Sequence, residues 1–325
     1  MKLPRRKFLH LAAGAAVLPV LPRIAMAQAY PSRQVRIIVG FPAGGPADIY
    51  ARLIGQRLSE RLGQPFIVEN RPGAGGNIAT EGVVKAPPDG YTLLMVAPTH
   101  AINATLYEGL NHNFIRDIAP VAGLAREPVV MEVNPSVPVK TVAEFIVYAK
   151  ANPGKLNYGS AGNGTTQHVA CELFKMMTGA NIVHVPYRGQ APALADLLSG
   201  QVQVMFDVTT TSIEYIRAGK LRALAVATAT RLEVLPDLPT VGDFLPGYEA
   251  SNFRGIGAPK HTPVEIVGKL NKEMNSILAD PNMKARIAGI GGTILPGSPA
   301  DFGKLIAEET EKWAKVVKFA GIKPD

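Results

Sequence analysis

Short apolar runs alternate with amphipathic stretches of helical period along most of the chain. Strands are predicted over residues 35–40, 66–69, 92–97 and 129–133, where β-branched and other apolar side chains cluster. Residues 48–62 predict a helix with Ile49, Leu53, Ile54, Leu58 and Leu62 on one face, and Gly63 is placed to stop it. Residues 141–152 predict a second helix, opened by a Thr141–Glu144 capping box and ended by Pro153-Gly154. The alternation continues with a strand over 156–160, a helix over 166–177, a strand over 182–187, a helix over 192–199 and a strand over 202–207. Thr211 and Glu214 read as a capping box for a short helix, and 221–228 as a strand. A connection carrying Pro236, Pro239 and Pro246 leads to a helical C-terminal part. There, Thr262-Pro263-Val264-Glu265 and Ser298-Pro299-Ala300-Asp301 each combine a cap, a proline at the first helical position and an acid. Such alternation implies an α/β fold, and about 300 residues suffice for two domains.

The N-terminus has a different character. Arg5, Arg6 and Lys7 precede an apolar, alanine-rich stretch over 11–21, and Ala25-Met26-Ala27 supplies the small residues a signal peptidase needs. This predicts a secretory signal over 1–27, cleaved after Ala27, and therefore a periplasmic protein. The stretch is too short, and too interrupted by Pro19 and Pro22, for a spanning helix, which needs about 20 apolar residues, so no stable membrane insertion is expected. Arg5-Arg6-Lys7-Phe8-Leu9 matches the core of a twin-arginine signal, with a generic positive n-region as the alternative. The charge of +8 shrinks to +3 once Lys2, Arg5, Arg6, Lys7 and Arg23 are set aside with the signal. No basic cluster interleaved with aromatics follows, which opposes a nucleic-acid partner. Cys171 is the single cysteine, so no internal disulfide forms, and its helical surroundings suggest a buried small hydrophobe.

Chemistry concentrates in two strand-to-helix loops. The first runs Val39-Gly40-Phe41-Pro42-Ala43-Gly44-Gly45-Pro46-Ala47-Asp48. The second runs Asn157-Tyr158-Gly159-Ser160-Ala161-Gly162-Asn163-Gly164-Thr165-Thr166 and adds hydroxyl donors. Glycines let the backbone come close to a ligand, and each helix start offers unpaired N–H groups with a positive partial charge. Two anion-friendly loops in two halves of the chain suggest one acidic group clamped from both sides, or an acid at each end of a ligand. A third Gly-rich turn, Asn70-Arg71-Pro72-Gly73-Ala74-Gly75-Gly76-Asn77, also precedes a helix. None of the three is a nucleotide fingerprint: Ile78 stands where a third glycine would be needed, and no glycine loop ends in Lys-Ser or Lys-Thr. Gly-x-Ser-x-Gly is absent, and the histidines at 10, 100, 112, 168, 184 and 261 form no metal-ligand pair at helical spacing, so neither cofactor nor metal is expected. His100 and His168 lie near the loops and read as satisfied histidines or as ligand neighbours. Asp48 reads as a helix-dipole partner. Asp207 either meets a ligand amine or hydroxyl or caps the next turn.

Phe41-Pro42-Ala43-Gly44-Gly45 with Asp48 and Ala51-Arg52 resembles the opening of the Bug-type (TctC-like) solute-binding proteins, as does Glu69-Asn70-Arg71-Pro72-Gly73-Ala74-Gly75-Gly76-Asn77. These are the extracytoplasmic receptors of tripartite tricarboxylate transporters. The likeness runs on in order through 156–165, Val185-Pro186-Tyr187-Arg188-Gly189, Met205-Phe206-Asp207, Ala218-Gly219-Lys220-Leu221-Arg222 and Leu238-Pro239-Thr240-Val241. It implies a two-domain type-II periplasmic-binding-protein fold with a ligand cleft between the domains. Domain 1 would comprise 28–127 and 250–325, and domain 2 would comprise 128–249. It also implies a carboxylate held mainly by backbone N–H groups, hydroxyls and water. The expected contacts are Phe41, Ala43, Gly44, Gly45, Asp48 and Thr99 from one side, with Ser160, Ala161, Gly162, Gly164, Thr165, Thr166 and Asp207 from the other. The family usually carries a Trp and another aromatic where Phe253 and Arg254 stand. Arg254 would then pair a second ligand carboxylate or face solvent. The implied partners are a small mono- or dicarboxylate and integral-membrane transporter subunits, with the receptor a monomer. A sensor subunit, an exported enzyme and a transcription-factor effector domain are the rival classes. The second loop is expected to face the surface, so that a bulky residue at Gly162 or Gly164 weakens binding with little loss of stability.

Overall fold

The computed structural model describes residues 30–107 and 109–324. The signal-peptide reading over 1–27, its cleavage point and the Arg5-Arg6 pair lie outside the described residues. The alternation read from the sequence is present as a mixed sheet flanked by helices. Strands β1 (Val35–Val39), β2 (Phe66–Asn70) and β3 (Thr92–Val96) run parallel, with β1 in the middle. Helices α1 (Pro46–Leu62), α2 (Asn77–Val84) and α3 (Pro98–Leu106) connect and follow them. A short helix α4 (Phe114–Asp117) leads into β4 (Ile118–Val133). Beyond α5 (Val142–Ala151) come β5 (Asn157–Ser160), α6 (Thr166–Thr178), β6 (Val183–Pro186), α7 (Gln190–Ser199), β7 (Val204–Val208), α8 (Thr209–Arg217) and β8 (Arg222–Val226). The chain returns through β9 (Ser251–Pro259), α9 (Val264–Ala279), α10 (Pro281–Gly289), β10 (Thr293–Ile294) and α11 (Pro299–Ala320).

The long strand β4 organises the sheet. Its first part pairs antiparallel with β9, from Ile118 opposite Pro259 to Pro128 opposite Ser251. Its last part pairs with β7, from Val129 opposite Val208 to Val133 opposite Val204, and with β8 on its other edge. The strand therefore changes partners between Pro128 and Val129. The order β2-β1-β3-β9-β4-β7-β5-β6 passes through it from one half of the sheet to the other. Sequence reading found only 129–133 of β4, because Pro120, Gly123 and Pro128 look like loop residues. Pro120 and Gly123 are accommodated where the β4–β9 register slips, between Pro120 and Ala122 and again between Gly123 and Ala125, and Pro128 sits where β4 changes partners.

Several local expectations shift. On α1 the buried face is Ala47, Tyr50, Ala51, Leu53, Ile54 and Leu58, while Ile49 stays 37% exposed. Tyr50 turns inward and rotates the apolar stripe away from Ile49. The Thr211–Glu214 box does not form. Helix α8 opens three residues earlier, Glu214 pairs with Arg217 on the surface, and four successive hydroxyls, Thr209 to Ser212, bond to surrounding elements. Thr262 bonds the Pro259 carbonyl, so α9 starts after Pro263 without a side-chain cap. The Ser298–Asp301 box forms in full, and Thr141 accepts from the Glu144 amide as expected.

Two cores are linked by the last helix. Phe302, Leu305 and Ile306 of α11 pack with Ile38, Leu94 and Phe253. Trp313, Val316 and Val317, further along the same helix, join Phe145, Tyr158, Phe174, Phe206 and Tyr248. Cys171 is wholly buried in that second core. Among the described residues no helix is long and apolar enough to cross a membrane.

Candidate functional site

The loop between β1 and α1 is held by a carboxylate. Asp48 is buried in the first turn of α1, and its Oδ2 accepts the Gly44 N–H at 2.9 Å and Arg52 Nε at 2.9 Å. Burial alone would raise this carboxyl, but the hydrogen bonds from Arg52, Gly44 and Asn70 outweigh it and hold it below the usual range. The Asn70 amide donates to the Phe41 carbonyl at 3.0 Å and ties the loop to the end of β2. Phe41 and Gly45 are half-buried, whereas Ala43 and Gly44 are exposed. Gly45 is the N-cap of α1, and no side chain caps that terminus.

The loop between β5 and α6 is held by neutral groups. Ser160 is fully buried, with Oγ 2.6 Å from His184 Nε2 and 3.1 Å from the Gly162 carbonyl. The Gly162 N–H donates to Ser160 Oγ at 3.2 Å, and Thr165 Oγ1 donates to the Gly162 carbonyl at 2.8 Å. The Gly164 N–H donates to His168 Nδ1 at 3.2 Å. The Ala161 carbonyl accepts from the Gly189 N–H at 3.2 Å. Thr165 is the N-cap of α6 and Thr166 its first residue; here too no side chain caps the helix. The first-turn amides of α1 and α6 are thus the donors left for an outside acceptor. The amides of Gly44, Gly162 and Gly164 serve the loops themselves.

Helix α3 lies between the β5–α6 loop and the third Gly-rich turn. A Cβ placed on Gly164 would come 2.4 Å from Leu106 Cδ2, and Asn103 Nδ2 donates to the Gly75 carbonyl at 3.0 Å. A Cβ on Gly76 would lie 3.8 Å from both His100 Nε2 and the tip of the Phe41 ring. Gly164 is therefore buried against α3. A Cβ there would clash, which corrects the expectation of a surface-facing loop. Thr99, in the first turn of α3, is buried with its hydroxyl unpartnered. His100 Nδ1 lies 3.0 Å from the Ala97 N–H, and burial pushes the imidazole down to about 4. A polar cavity of about 370 Å³ behind α3 is lined by Asn77, His100, Asn103, His112 and Arg116, and includes no residue of the two loops.

Asp207 and Arg254 are engaged internally. Asp207 is fully buried and accepts from the Val208 N–H at 2.8 Å, Ser212 Oγ at 2.8 Å, Thr211 Oγ1 at 3.1 Å and the amides of Gln167 and Gln190. These bonds make Asp207 a hub that fixes two glutamine side chains. Arg254 on β9 is in neither of the environments weighed for it. Its side chain is 7% exposed, and its Nη2 lies 2.7 Å from Oε2 of the fully buried Glu127 on β4. Thr210 donates to the other oxygen of Glu127 at 2.8 Å. The free guanidinium expected at the cleft is thus bound up between the two crossing strands. Sequence reasoning missed Glu127, Gln167, Gln190 and the His168–His184 contact. Each depends on a partner distant in sequence, and no local motif marks it.

Residues 50–322 match the family described as the tripartite tricarboxylate transporter family receptor. The Rhodopseudomonas palustris structure Rpa4515 with adipate is 42% identical, covers 91% of this chain and 100% of that one, and has a TM-score of 0.86. The periplasmic binding protein BugD is 34% identical, covers 90% and 99% of the two chains, and has a TM-score of 0.83. MatC from Rhodopseudomonas palustris with bound malate is 34% identical, covers 89% and 100%, and has a TM-score of 0.82. The α/β fold is therefore that of the two-domain periplasmic binding proteins. With a match this long and structural agreement this close, the chain belongs to the tripartite tricarboxylate transporter receptor family, the Bug-type solute-binding proteins.

Proposed function

We propose that this receptor captures a small mono- or dicarboxylate between the β1–α1 and β5–α6 loops and delivers it to the membrane subunits of a tripartite tricarboxylate-type transporter. The observation that carries the reading is the pair of uncapped helix N-termini, α1 at Gly45 and α6 at Thr165, one in each half of the sheet. Unpaired first-turn amides with a positive partial charge suit an anionic oxygen. Relatives solved with adipate and with malate make a C4–C8 diacid the first candidate. A micromolar complex needs about 8 kcal/mol net. Charge-assisted hydrogen bonds contribute about 1.5–3 kcal/mol each, so four to six leave room for ordering and closure.

In this reading Phe41, Ala43, Gly44 and Gly45 shape one wall, Asp48 braces it, and Thr99 offers a free hydroxyl. Ser160, Ala161, Gly162, Gly164, Thr165 and Thr166 shape the other wall, with Asp207 behind it. Arg254 acts through Glu127 on the crossing strands and does not grip the ligand. The lobes would be 28–127 with 250–325, and 128–249, with the change of strand partners at Pro128 as the hinge and the end of α11 strapped to the second lobe. The protein would be a periplasmic monomer, exported by the twin-arginine route and cleaved after Ala27. It would perform no chemistry: Ser160, although beside His184, is enclosed and twice bonded to Gly162. A sensor subunit would bind the same ligand, and loss of the gene that leaves transport intact but abolishes signalling would favour it. Calorimetric titration of the mature chain with adipate, malate and matched monoacids tests the proposal. One-site micromolar binding of at least one acid is expected, and no heat from any C4–C8 acid would overturn it.

A further inference from the structure

The β5–α6 loop rests on two histidines. Parallel pairing of β5 with β6 sets His184 beside Tyr158, and the first turn of α6 brings His168 onto the same spot. The two imidazoles stack with centroids 3.8 Å apart, and the Tyr158 ring stacks on His184 at 4.7 Å. On one side His168 Nδ1 takes the Gly164 N–H, and on the other His184 Nε2 meets Ser160 Oγ. An imidazole nitrogen that accepts an N–H carries no proton, so this arrangement requires His168 to be neutral, with its proton on Nε2. A charge on either ring would face its neighbour across a van der Waals gap, and on the buried His168 it would also lie away from water. The other ionisable groups here are Lys175 and Glu172 of α6, Tyr158 of β5 and the buried Cys171. Glu172 Oε1 is held at 2.6 Å by both Tyr158 OH and Lys175 Nζ, which makes it a satisfied partner rather than a counter-ion for an imidazolium.

We infer that His168 and His184 are positioning residues for the ligand: as a neutral stacked pair they hold Gly164 and Ser160 and keep the α6 N-terminus in its binding shape, and a proton on His168 releases it. The inference rests on the loop being part of the carboxylate site. Burial pushes His168 down to about 4, with Lys175 adding to it, and pushes His184 down to about 3, with His168 adding to it. A hydrated His168 in a released loop would titrate near the ordinary value of about 6.5. Between about 6.5 and about 4 the released loop therefore binds more protons than the anchored one, and acidification weakens the anchor by up to tenfold per pH unit.

The test compares His168→Asn, which can still accept the Gly164 N–H but cannot titrate, with His168→Leu, which can do neither. In the ligand-free protein, exchange of the Gly164 amide is expected to be slow in wild type and His168→Asn and about tenfold faster in His168→Leu, the weight of one hydrogen bond. Titrated with adipate or malate at pH 7.5, His168→Asn should stay within about threefold of wild type and His168→Leu should bind about tenfold more weakly. By pH 5 the affinity of wild type should have fallen about tenfold relative to His168→Asn, a ratio from which the titration of the ligand itself cancels. Equal Gly164 exchange in all three proteins, or parallel pH profiles for wild type and His168→Asn, would overturn the inference. If Gly164 responds as expected but no C4–C8 acid binds wild type, the histidine anchor stands and the receptor reading falls.

Discussion

The two loops that face the proposed ligand do one job with opposite means. The β1–α1 loop is open: Ala43 and Gly44 are exposed, and an ionised carboxylate on its own helix, Asp48, ties it down with help from Arg52 at the surface. The β5–α6 loop is enclosed: Ser160 and Gly164 are buried, and uncharged hydroxyls and imidazoles secure it. Burial explains the difference. Asp48 itself is buried, but its cation Arg52 is half exposed, so the charge is balanced without burying a second ion. Where water is excluded, neutral hydrogen-bonding groups avoid a desolvation cost of several kcal/mol.

Changes to the frame behind both loops should have the largest effect. Arg254→Met leaves Glu127 buried without its cation and should cost about 3–5 kcal/mol in urea unfolding. The double variant Arg254→Met with Glu127→Gln should recover most of that loss. If the single change is silent, the ion pair is not part of the frame. Next is the enclosed loop. Gly164 has φ +69° and its Cβ would meet Leu106, so Gly164→Val should cost about 2–4 kcal/mol in thermal or urea melts. The matching change in the open loop is milder. Gly44 has φ +80° and nothing within 4 Å of its Cβ, so Gly44→Ala should cost about 1 kcal/mol through backbone strain alone. Equal costs at the two glycines would contradict the contrast.

Acid should separate the loops in order. His168 and His184 stay neutral in the folded chain down to about 4 and about 3, while in the unfolded chain they take protons below about 6.5. Stability should therefore fall as pH drops from about 6.5 toward 4, and His168→Asn should flatten part of that slope. Asp48 has the same sign but acts lower in pH. Its carboxyl is held below the ordinary 3.8, so its stabilisation is complete above that value and is lost only as pH falls below it. The smallest effect is Asp48→Asn at neutral pH, about 1 kcal/mol in urea unfolding, because the Arg52 partner is half exposed. A variant that melted the protein at pH 7 would contradict that ranking.

The contrast also marks what the sequence could reveal. Both loops were legible because a strand, a run of glycines and a helix start are local features, and the α/β alternation around them is local too. Helix α3 was passed over between them, since 98–106 offers little beyond a proline at its start. The first part of β4 was hidden by Pro120 and Gly123, which sit at register slips against β9, and by Pro128, where the strand changes partners. Arg254 was read as a free cation because Glu127 lies on another strand. The six histidines looked dispersed because only the β5–β6 pairing brings His184 to His168. In each case an energetically important contact joins residues that no window along the chain contains together.

The central claim is that a carboxylate is seated on the uncapped starts of α1 and α6. The most direct measurement is a crystal structure of the mature chain grown with adipate. The account predicts carboxylate oxygens within hydrogen-bond distance, about 2.7–3.2 Å, of first-turn amides of α1 and α6, directly or through one water. A diacid found in the polar cavity of Asn77, His112 and Arg116, with both helix starts untouched, would contradict it.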